Sequence, residues 1–296
     1  IEVDVILGMN VKELIECIGK YEGLAVRSGT KVTAGVFKAA KNLKVVGRAG
    51  IGVDNIDCDM ATSKGVVVMN TPFGNSITTA EHTISLMLAV ARQIPAANVS
   101  THAGKWEKSK FMGIELMGKT LGIVGCGNIG SVVAERAQGL KLKVVAYDPY
   151  LTSERAKDLG VEKVELDALF QRADFISLHT PLTEATRDII NASAISRMKD
   201  GVRIINCARG GLIVEADLKN GLDSGKIAGA ALDVFETEPL PADHRLWKAP
   251  NFLLTPHMAG DGPYLDDRRR DLLIENCRRL RDGEELLNIV DKANWF

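Results

Sequence analysis

The chain has 296 residues, 46% of them hydrophobic and 25% charged, with a formal net charge of −1. That length suits two domains. The near-zero charge excludes a global field that would draw the chain to nucleic acid or to a membrane surface.

Residues 1–72 alternate strand and helix. Val3–Leu7 reads as a strand. Val11–Lys20 reads as an amphipathic helix with Leu14, Ile15 and Ile18 inward. Gly23–Arg27 is an expected strand, Thr33–Ala40 a helix, Leu43–Arg48 a strand, Met60–Lys64 a short helix and Val66–Asn70 a strand. This alternation predicts a parallel sheet with helices on its faces. Thr71-Pro72 breaks the pattern as a hinge. Thr78–Ala91 is a long apolar helix whose spacing implies burial, partly in another subunit. Gln93–Gly118 is polar and irregular, with Trp106, Phe111 and Met112 as exposed anchors. After a strand–helix–strand unit over Thr120–Pro149, helices are expected at Leu166–Phe170, Ala194–Met198 and Glu215–Gly221. Strands are expected at Phe175–Leu178, Arg203–Asn206, Ala228–Asp233 and Phe252–Thr255, and a terminal helix at Asp267–Arg281. The basic clusters Arg268-Arg269-Arg270 and Arg278-Arg279-Leu280-Arg281 share that helix with acids and read as a solvated face.

The unit over Thr120–Pro149 carries the most information. The apolar strand Leu121–Val124 feeds into Gly125-Cys126-Gly127-Asn128-Ile129-Gly130. A helix follows, with Val132, Val133, Ala137 and Leu140 as its apolar face, and a second strand, Lys143–Tyr147, ends at Asp148. This is the layout of a dinucleotide-binding βαβ unit. Gly125 allows the tight turn, Gly127 lets a pyrophosphate approach, and Gly130 lets helix and strand pack closely. The helix N-terminus offers free N–H groups to phosphates. Asp148 accepts hydrogen bonds from ribose hydroxyls and repels a 2′-phosphate, which favours NAD over NADP.

Ligands of open parallel sheets sit outside the carboxyl ends of the strands. His179, Arg209, Asp233, Glu238 and His257 all follow predicted strands there. Hydride exchange at an alcohol carbon needs a proton carrier, a polarised carbonyl and an oriented substrate. His257 suits the first, because imidazole titrates near neutral pH, and Glu238 would fix its tautomer. Arg209 suits the others, because its planar fork clamps a carboxylate. A lone His after a strand is usually a loop residue, and a Glu before Pro usually faces solvent. It is their combination after a dinucleotide unit that points to chemistry. His82 and His102 read as structural or solvent residues, and His179 as lining the cofactor.

Five cysteines, Cys17, Cys58, Cys126, Cys207 and Cys277, are odd in number and lack C-x-x-C spacing. Neither a metal site nor a disulfide framework is expected, and a cytoplasmic location is. The apolar run Leu86–Ala91 is far short of the roughly 20 residues a membrane span needs. No signal peptide is visible.

The stretches GLAVRSGTKVTA, LKVVGRAGIGVDNID, VVVMNTPFGNSITTAEHT, GKTLGIVGCGNIG, HTPLT, RIINCARGGLIVE, GAALDVFETEP and TPH run almost continuously from Gly23 to His257. Through them the chain resembles the D-isomer-specific 2-hydroxyacid dehydrogenases, and within them the branch acting on 3-phosphoglycerate. The resemblance implies an α/β protein, with a Rossmann NAD-binding domain inserted in a flavodoxin-like parallel-sheet substrate domain. The expected boundaries are 1–72, 73–258 and 259–296. It implies Arg209 as substrate clamp, His257 as acid/base and Glu238 as its partner. NAD would be lined by Gly125, Gly127, Asn128, Ile129, Gly130, Asp148, His179, Thr180, Pro181, Cys207, Ala208, Asp233 and Ala259. Substrate would be held by the loop Ala49-Gly50-Ile51-Gly52. Its phosphate would meet Arg27 and Arg48, with Ser28 and Asn75 nearby. The implied reaction oxidises 3-phosphoglycerate to 3-phosphohydroxypyruvate, a step of serine biosynthesis, in a homodimer or homotetramer joined through the NAD-binding domain.

Three departures bear on this expectation. The chain opens on Ile1, and the family pattern has a strand and helix ahead of Val3–Leu7, so a preceding segment is expected. The usual His-x-Gly-Ala-Ser-Thr is replaced by His257-Met258-Ala259-Gly260-Asp261-Gly262, and the tail resembles other branches. That motivates a glyoxylate or hydroxypyruvate reductase as the alternative. If Arg27 and Arg48 are tied to structural carboxylates, this alternative gains. A serine-binding regulatory domain, and feedback through one, are not expected. A reading of another class, an NAD-sensing corepressor, is weakened by the complete Arg, Glu and His set.

Overall fold

The computed structural model describes residues 2–71, 74–261 and 263–290. Pro72, Gly262, the tail past residue 290 and the side chains of Arg268, Arg269 and Cys277 lie outside the described residues. The chain divides into two compact units, Ile1–Asn75 with Gly260–Phe296, and Ser76–Ala259.

The first unit begins with α1 (Val11–Cys17), extended by a 3₁₀ turn at Ile18–Lys20. Asn10 caps it, accepting from Lys12 and Glu13 N–H while Glu13 reaches back to Asn10 N–H, a capping box. Then come β1 (Gly23–Val26), α2 (Ala34–Ala39), β2 (Val45–Arg48), α3 (Cys58–Ser63) and β3 (Val67–Asn70). The strands form a parallel sheet in the order β1-β2-β3. Ile18, Val36, Phe37, Val46 and Ala61 are fully buried in its core. Residues 288–290 cover the outer edge of β3, where Val290 N–H donates to Val68 O at 2.8 Å.

Two expectations need correction here. Val3–Leu7 is no strand; it carries no regular secondary structure and is exposed, with Leu7 88% accessible. Its mostly apolar, β-branched run is strand-like, but a strand forms only where a neighbour supplies ladder hydrogen bonds. Asp4 instead bonds the Tyr21 hydroxyl at 2.6 Å. Ile15 is exposed rather than inward; Leu14 and Ile18 carry the buried face.

The second unit opens with α4 (Ser76–Arg92) and α5 (Ile94–His102). The irregular stretch expected after Gln93 thus contains a helix. Pro95 in its first turn suits a helix start, but no residue of α5 is buried, so the sequence carries no apolar stripe to reveal it. The elements that follow are β4 (Thr120–Val124), α6 (Asn128–Gly139), β5 (Lys143–Tyr147), α7 (Ser153–Asp158), β6 (Glu162–Lys163), α8 (Leu166–Arg172) and β7 (Phe175–Leu178). Then come α9 (Ala192–Arg197), β8 (Val202–Asn206), α10 (Glu215–Asp223), β9 (Ile227–Leu232) and β10 (Phe252–Leu254). On α6 the buried residues are Gly130, Val133, Ala134 and Ala137, whereas Leu140 is exposed.

The seven strands are parallel, in the order β10-β9-β8-β7-β4-β5-β6. This is the Rossmann arrangement, with the reversal of strand order at β4 and β7. Both faces are covered. Leu121, Ile123, Phe175 and Ile205 pack on one side, and Val124, Ile176, Leu178 and Ile204 on the other. Double coverage explains why these strands read as continuous apolar runs.

The chain returns to the first unit through α11 (Pro263–Asp282). Arg278 pairs there with Glu275, Asp282 and Glu284, as expected of a solvated face.

Candidate active site

The glycine turn is dictated by sterics. Gly125 has φ +90°, and a Cβ there would lie 2.7 Å from His179 O. A Cβ on Gly130 would lie 2.1 Å from Gly125 O, backbone against backbone. Gly127 differs, because a Cβ there would meet nothing within 4 Å. It forms the N-cap of α6 without a side-chain hydrogen bond, so the first N–H groups of the helix have no side-chain acceptor. Asp148 closes the turn: Oδ2 accepts from Cys126 N–H at 2.8 Å and Oδ1 from Tyr150 N–H at 2.8 Å. A carboxylate has about four lone-pair sites, so capacity remains for ribose hydroxyls. Open space over Gly127, an uncapped helix end and a terminal acid fit a dinucleotide.

The other strand ends supply the remaining groups. After β7, His179 Nε2 lies 2.8 Å from Ser177 Oγ, and its Nδ1 is buried without a partner. Burial lowers its pKa to about 3, so the ring is neutral near neutral pH and does not serve as an imidazolium acid. After β8, the buried Asn206 organises the next turn. Its amide donates to Arg209 O at 2.8 Å and its Oδ1 accepts from Ala208 N–H at 3.0 Å. Gly210 is required because a Cβ there would lie 1.8 Å from Phe235 O. Arg209 Nη1 donates to Ala208 O at 2.7 Å. Cys207 is buried, and burial pushes its thiol up to about 12. Cys126 is likewise raised, to about 11; neither is a thiolate near neutral pH.

After β9 and β10 the structure brings Glu238 and His257 together. His257 Nδ1 donates to Glu238 Oε2 at 2.7 Å, and Glu238 Oε1 accepts from Phe235 N–H at 2.9 Å. The bond to Glu238 raises the His257 pKa above its usual 6.5, against burial and the nearby Arg209 guanidinium. Burial pushes Glu238 upward, but His257 and the Phe235 N–H outweigh it, and the carboxyl ends below its usual value. His257 Nε2 has no hydrogen-bond partner among the described residues, which leaves it for a reacting hydroxyl.

Asp233 and Ala259, both expected beside the cofactor, are bonded to one another. Asp233 is fully buried. Its Oδ1 accepts from the Thr255 hydroxyl at 2.5 Å and Met258 N–H at 3.0 Å, and its Oδ2 from Ala259 N–H at 2.8 Å. His257, at φ +53°, also donates its own N–H to Asp233 O at 2.8 Å. The carboxylate thus pins the loop that carries the imidazole. His82 Nε2 sits 3.2 Å from Thr255 Oγ1, the structural role expected of it. Sequence reading missed Asn206 and Thr255; a polar residue closing an apolar strand was the available signal. It also missed Glu215, buried on α10, which holds Glu236 N–H at 2.9 Å and His244 Nε2 at 3.1 Å.

In the first unit Arg27 follows β1 and Arg48 ends β2. Arg48 Nη1 donates to Ala49 O at 2.9 Å, and Arg27 Nη2 bonds Asp261 Oδ1 at 2.6 Å. Gly50 O accepts from Thr71 N–H at 3.0 Å, Ile51 O from the Asn70 amide at 2.7 Å, and Asn75 Oδ1 is buried without a partner. Ser28 is exposed. No group of His, Cys, Asp or Glu among the described residues could hold a metal, and no helix among them is long and apolar enough to cross a membrane.

Residues 84–259 match the family profile described as D-isomer specific 2-hydroxyacid dehydrogenase, NAD binding domain. The chain belongs to this dehydrogenase family. It is 52% identical to D-3-phosphoglycerate dehydrogenase of Archaeoglobus fulgidus over 98% of its own length and 55% of that protein. Against the Homo sapiens D-3-phosphoglycerate dehydrogenase it is 45% identical, over 96% and 53%. The chain spans about half the length of these curated relatives. Among solved structures, the TT0316 protein from Thermus thermophilus superposes with a TM-score of 0.90 at 34% identity, covering 98% of this chain and 92% of that one. A glyoxylate reductase from Paecilomyes thermophila gives 0.89 at 32% identity, covering 96% and 89%. In a family defined by its NAD-binding domain, Gly130→Ala is expected to disturb the turn by about 1–3 kcal/mol. NADH fluorescence titration should report weaker binding, with the melting temperature lowered only modestly.

Proposed function

We propose that the chain is an NAD-dependent dehydrogenase of D-2-hydroxy acids that interconverts 3-phosphoglycerate and 3-phosphohydroxypyruvate. The observation that carries the reading is the 2.7 Å pair of His257 and Glu238 at the strand ends beside the glycine turn. NAD, when bound, supplies the hydride acceptor. His257 Nε2 takes the hydroxyl proton in oxidation and returns it in reduction. Glu238 holds the opposite nitrogen protonated and stabilises the imidazolium. Arg209 orients the substrate carboxylate and polarises the carbonyl. Neutral His179 adds no competing charge. Arg27 and Arg48 recognise the phosphate, with Ser28, Asn75 and the Ala49–Ile51 backbone as further substrate contacts.

The protein is proposed to act as a homodimer or homotetramer through the NAD-binding unit. Exposed Ile94, Val99, Trp106, Met112 and Met117, all within the NAD-binding unit, support this, because they leave apolar side chains of that unit for a second copy to cover. A cytoplasmic setting fits the free thiols of Cys17, Cys58, Cys126 and Cys207.

A second reading, a glyoxylate or hydroxypyruvate reductase, draws support from the Arg27–Asp261 ion pair. The test is kcat/KM with NADH for phosphohydroxypyruvate, hydroxypyruvate, glyoxylate and pyruvate. Preference for the phosphorylated acid is expected. Preference for an unphosphorylated acid would install the second reading.

A further inference from the structure

Arg27 and Arg48 leave the smaller sheet at one edge. β1 and β2 run parallel with Val26 opposite Arg48, so the residue after Val26 emerges beside the last residue of β2. This is the carboxyl edge, where parallel sheets receive ligands. The base of Arg27 is held in place: the Asn55 amide donates to Arg27 O at 3.0 Å and Thr30 O at 2.7 Å. Its guanidinium, however, is engaged by a carboxylate of the chain itself, Asp261, at 2.6 Å. Asp261 belongs to the segment after His257 in which this sequence departs from the family pattern.

We propose that Asp261 is a specificity-determining residue, whose carboxylate competes with a phosphate-bearing substrate for the Arg27 guanidinium. This rests on the reading of Arg27 as a phosphate-recognising residue. The two side chains are 55% and 57% exposed, so solvent screens the pair and it is worth a factor of only about two to five. A phosphate, with more charge and three strong acceptor oxygens, displaces it. A keto acid without phosphate has nothing to set against the pair and leaves it closed. Asp261 therefore weakens binding of phosphorylated acids selectively and narrows the preference that Arg27 would otherwise create.

Asp261→Asn keeps the size of the side chain and removes its charge. In this variant the ratio of kcat/KM for phosphohydroxypyruvate over hydroxypyruvate should rise about two- to fivefold. Binding of inorganic phosphate, read from thermal stabilisation without turnover, should tighten by the same factor. With Arg27→Gln already present, Asp261→Asn should change neither quantity. Unchanged phosphate binding in Asp261→Asn overturns the proposal, and so does an equal gain in the Arg27→Gln background. Wild-type protein that reduces no 2-keto acid defeats the dehydrogenase reading instead, while the phosphate titration still decides the role of Asp261.

Discussion

Replacing His257 with alanine is expected to lower kcat by a factor of about 10²–10⁴, the range a positioned acid/base supplies. His257→Asn is the structural control, because Asn tolerates the left-handed backbone that His257 adopts at φ +53°; it should fold normally and be equally slow. The pH profile distinguishes this role from a packing role. Keto-acid reduction needs the imidazolium. Because the Glu238 bond raises the His257 pKa above 6.5, wild-type reduction should stay level through pH 6.5 and fall only above the raised pKa. Oxidation should rise through the same pKa. Glu238→Gln removes the charge that raises it and should move both midpoints to lower pH. Near-wild-type rates in His257→Ala would remove the imidazole from the mechanism.

Asp233→Ala is expected to destabilise the protein by about 3–5 kcal/mol, the range for breaking a buried charged network. The Thr255 hydroxyl and the N–H groups of Met258 and Ala259 lose their acceptor together, and each unsatisfied buried donor costs about 1–3 kcal/mol. Urea unfolding measures this directly. Activity should fall beyond the loss of stability, because the loop that aims His257 is released. Burial alone would raise the Asp233 pKa, but the bonds from His82, Thr255 and the loop N–H groups leave it lowered. Its contribution is therefore present above the ordinary carboxylate value of 3.8 and is lost as pH falls through the depressed one. Wild type should lose that stability in strong acid, whereas Asp233→Ala should show a flatter acid limb. A change under 1 kcal/mol would mean the carboxylate holds nothing.

What could be read from sequence follows from burial. Lys143–Tyr147 and Phe175–Leu178 match β5 and β7 residue for residue, because strands covered on both faces are uninterrupted apolar runs. α7 and β6 went unread, being short and largely exposed. Arg209, Glu238 and His257 stand out as candidates because each follows a strand. The layer that positions them stands out less: Asn206, Thr255 and Glu215 act through backbone groups, which one-dimensional spacing does not reveal. The Arg27–Asp261 pair joins residues 234 positions apart, and only the folded first unit brings them together.

These strand ends are proposed to transfer a hydride between NAD and a 2-keto acid with formation of the D-hydroxy acid. The most direct test of this proposal is to mix the protein with NADH and phosphohydroxypyruvate, follow the loss of NADH and determine the configuration of the product. Consumption of NADH with formation of D-3-phosphoglycerate is predicted. An L product, or no NADH consumed with this or any unphosphorylated 2-keto acid, would contradict it.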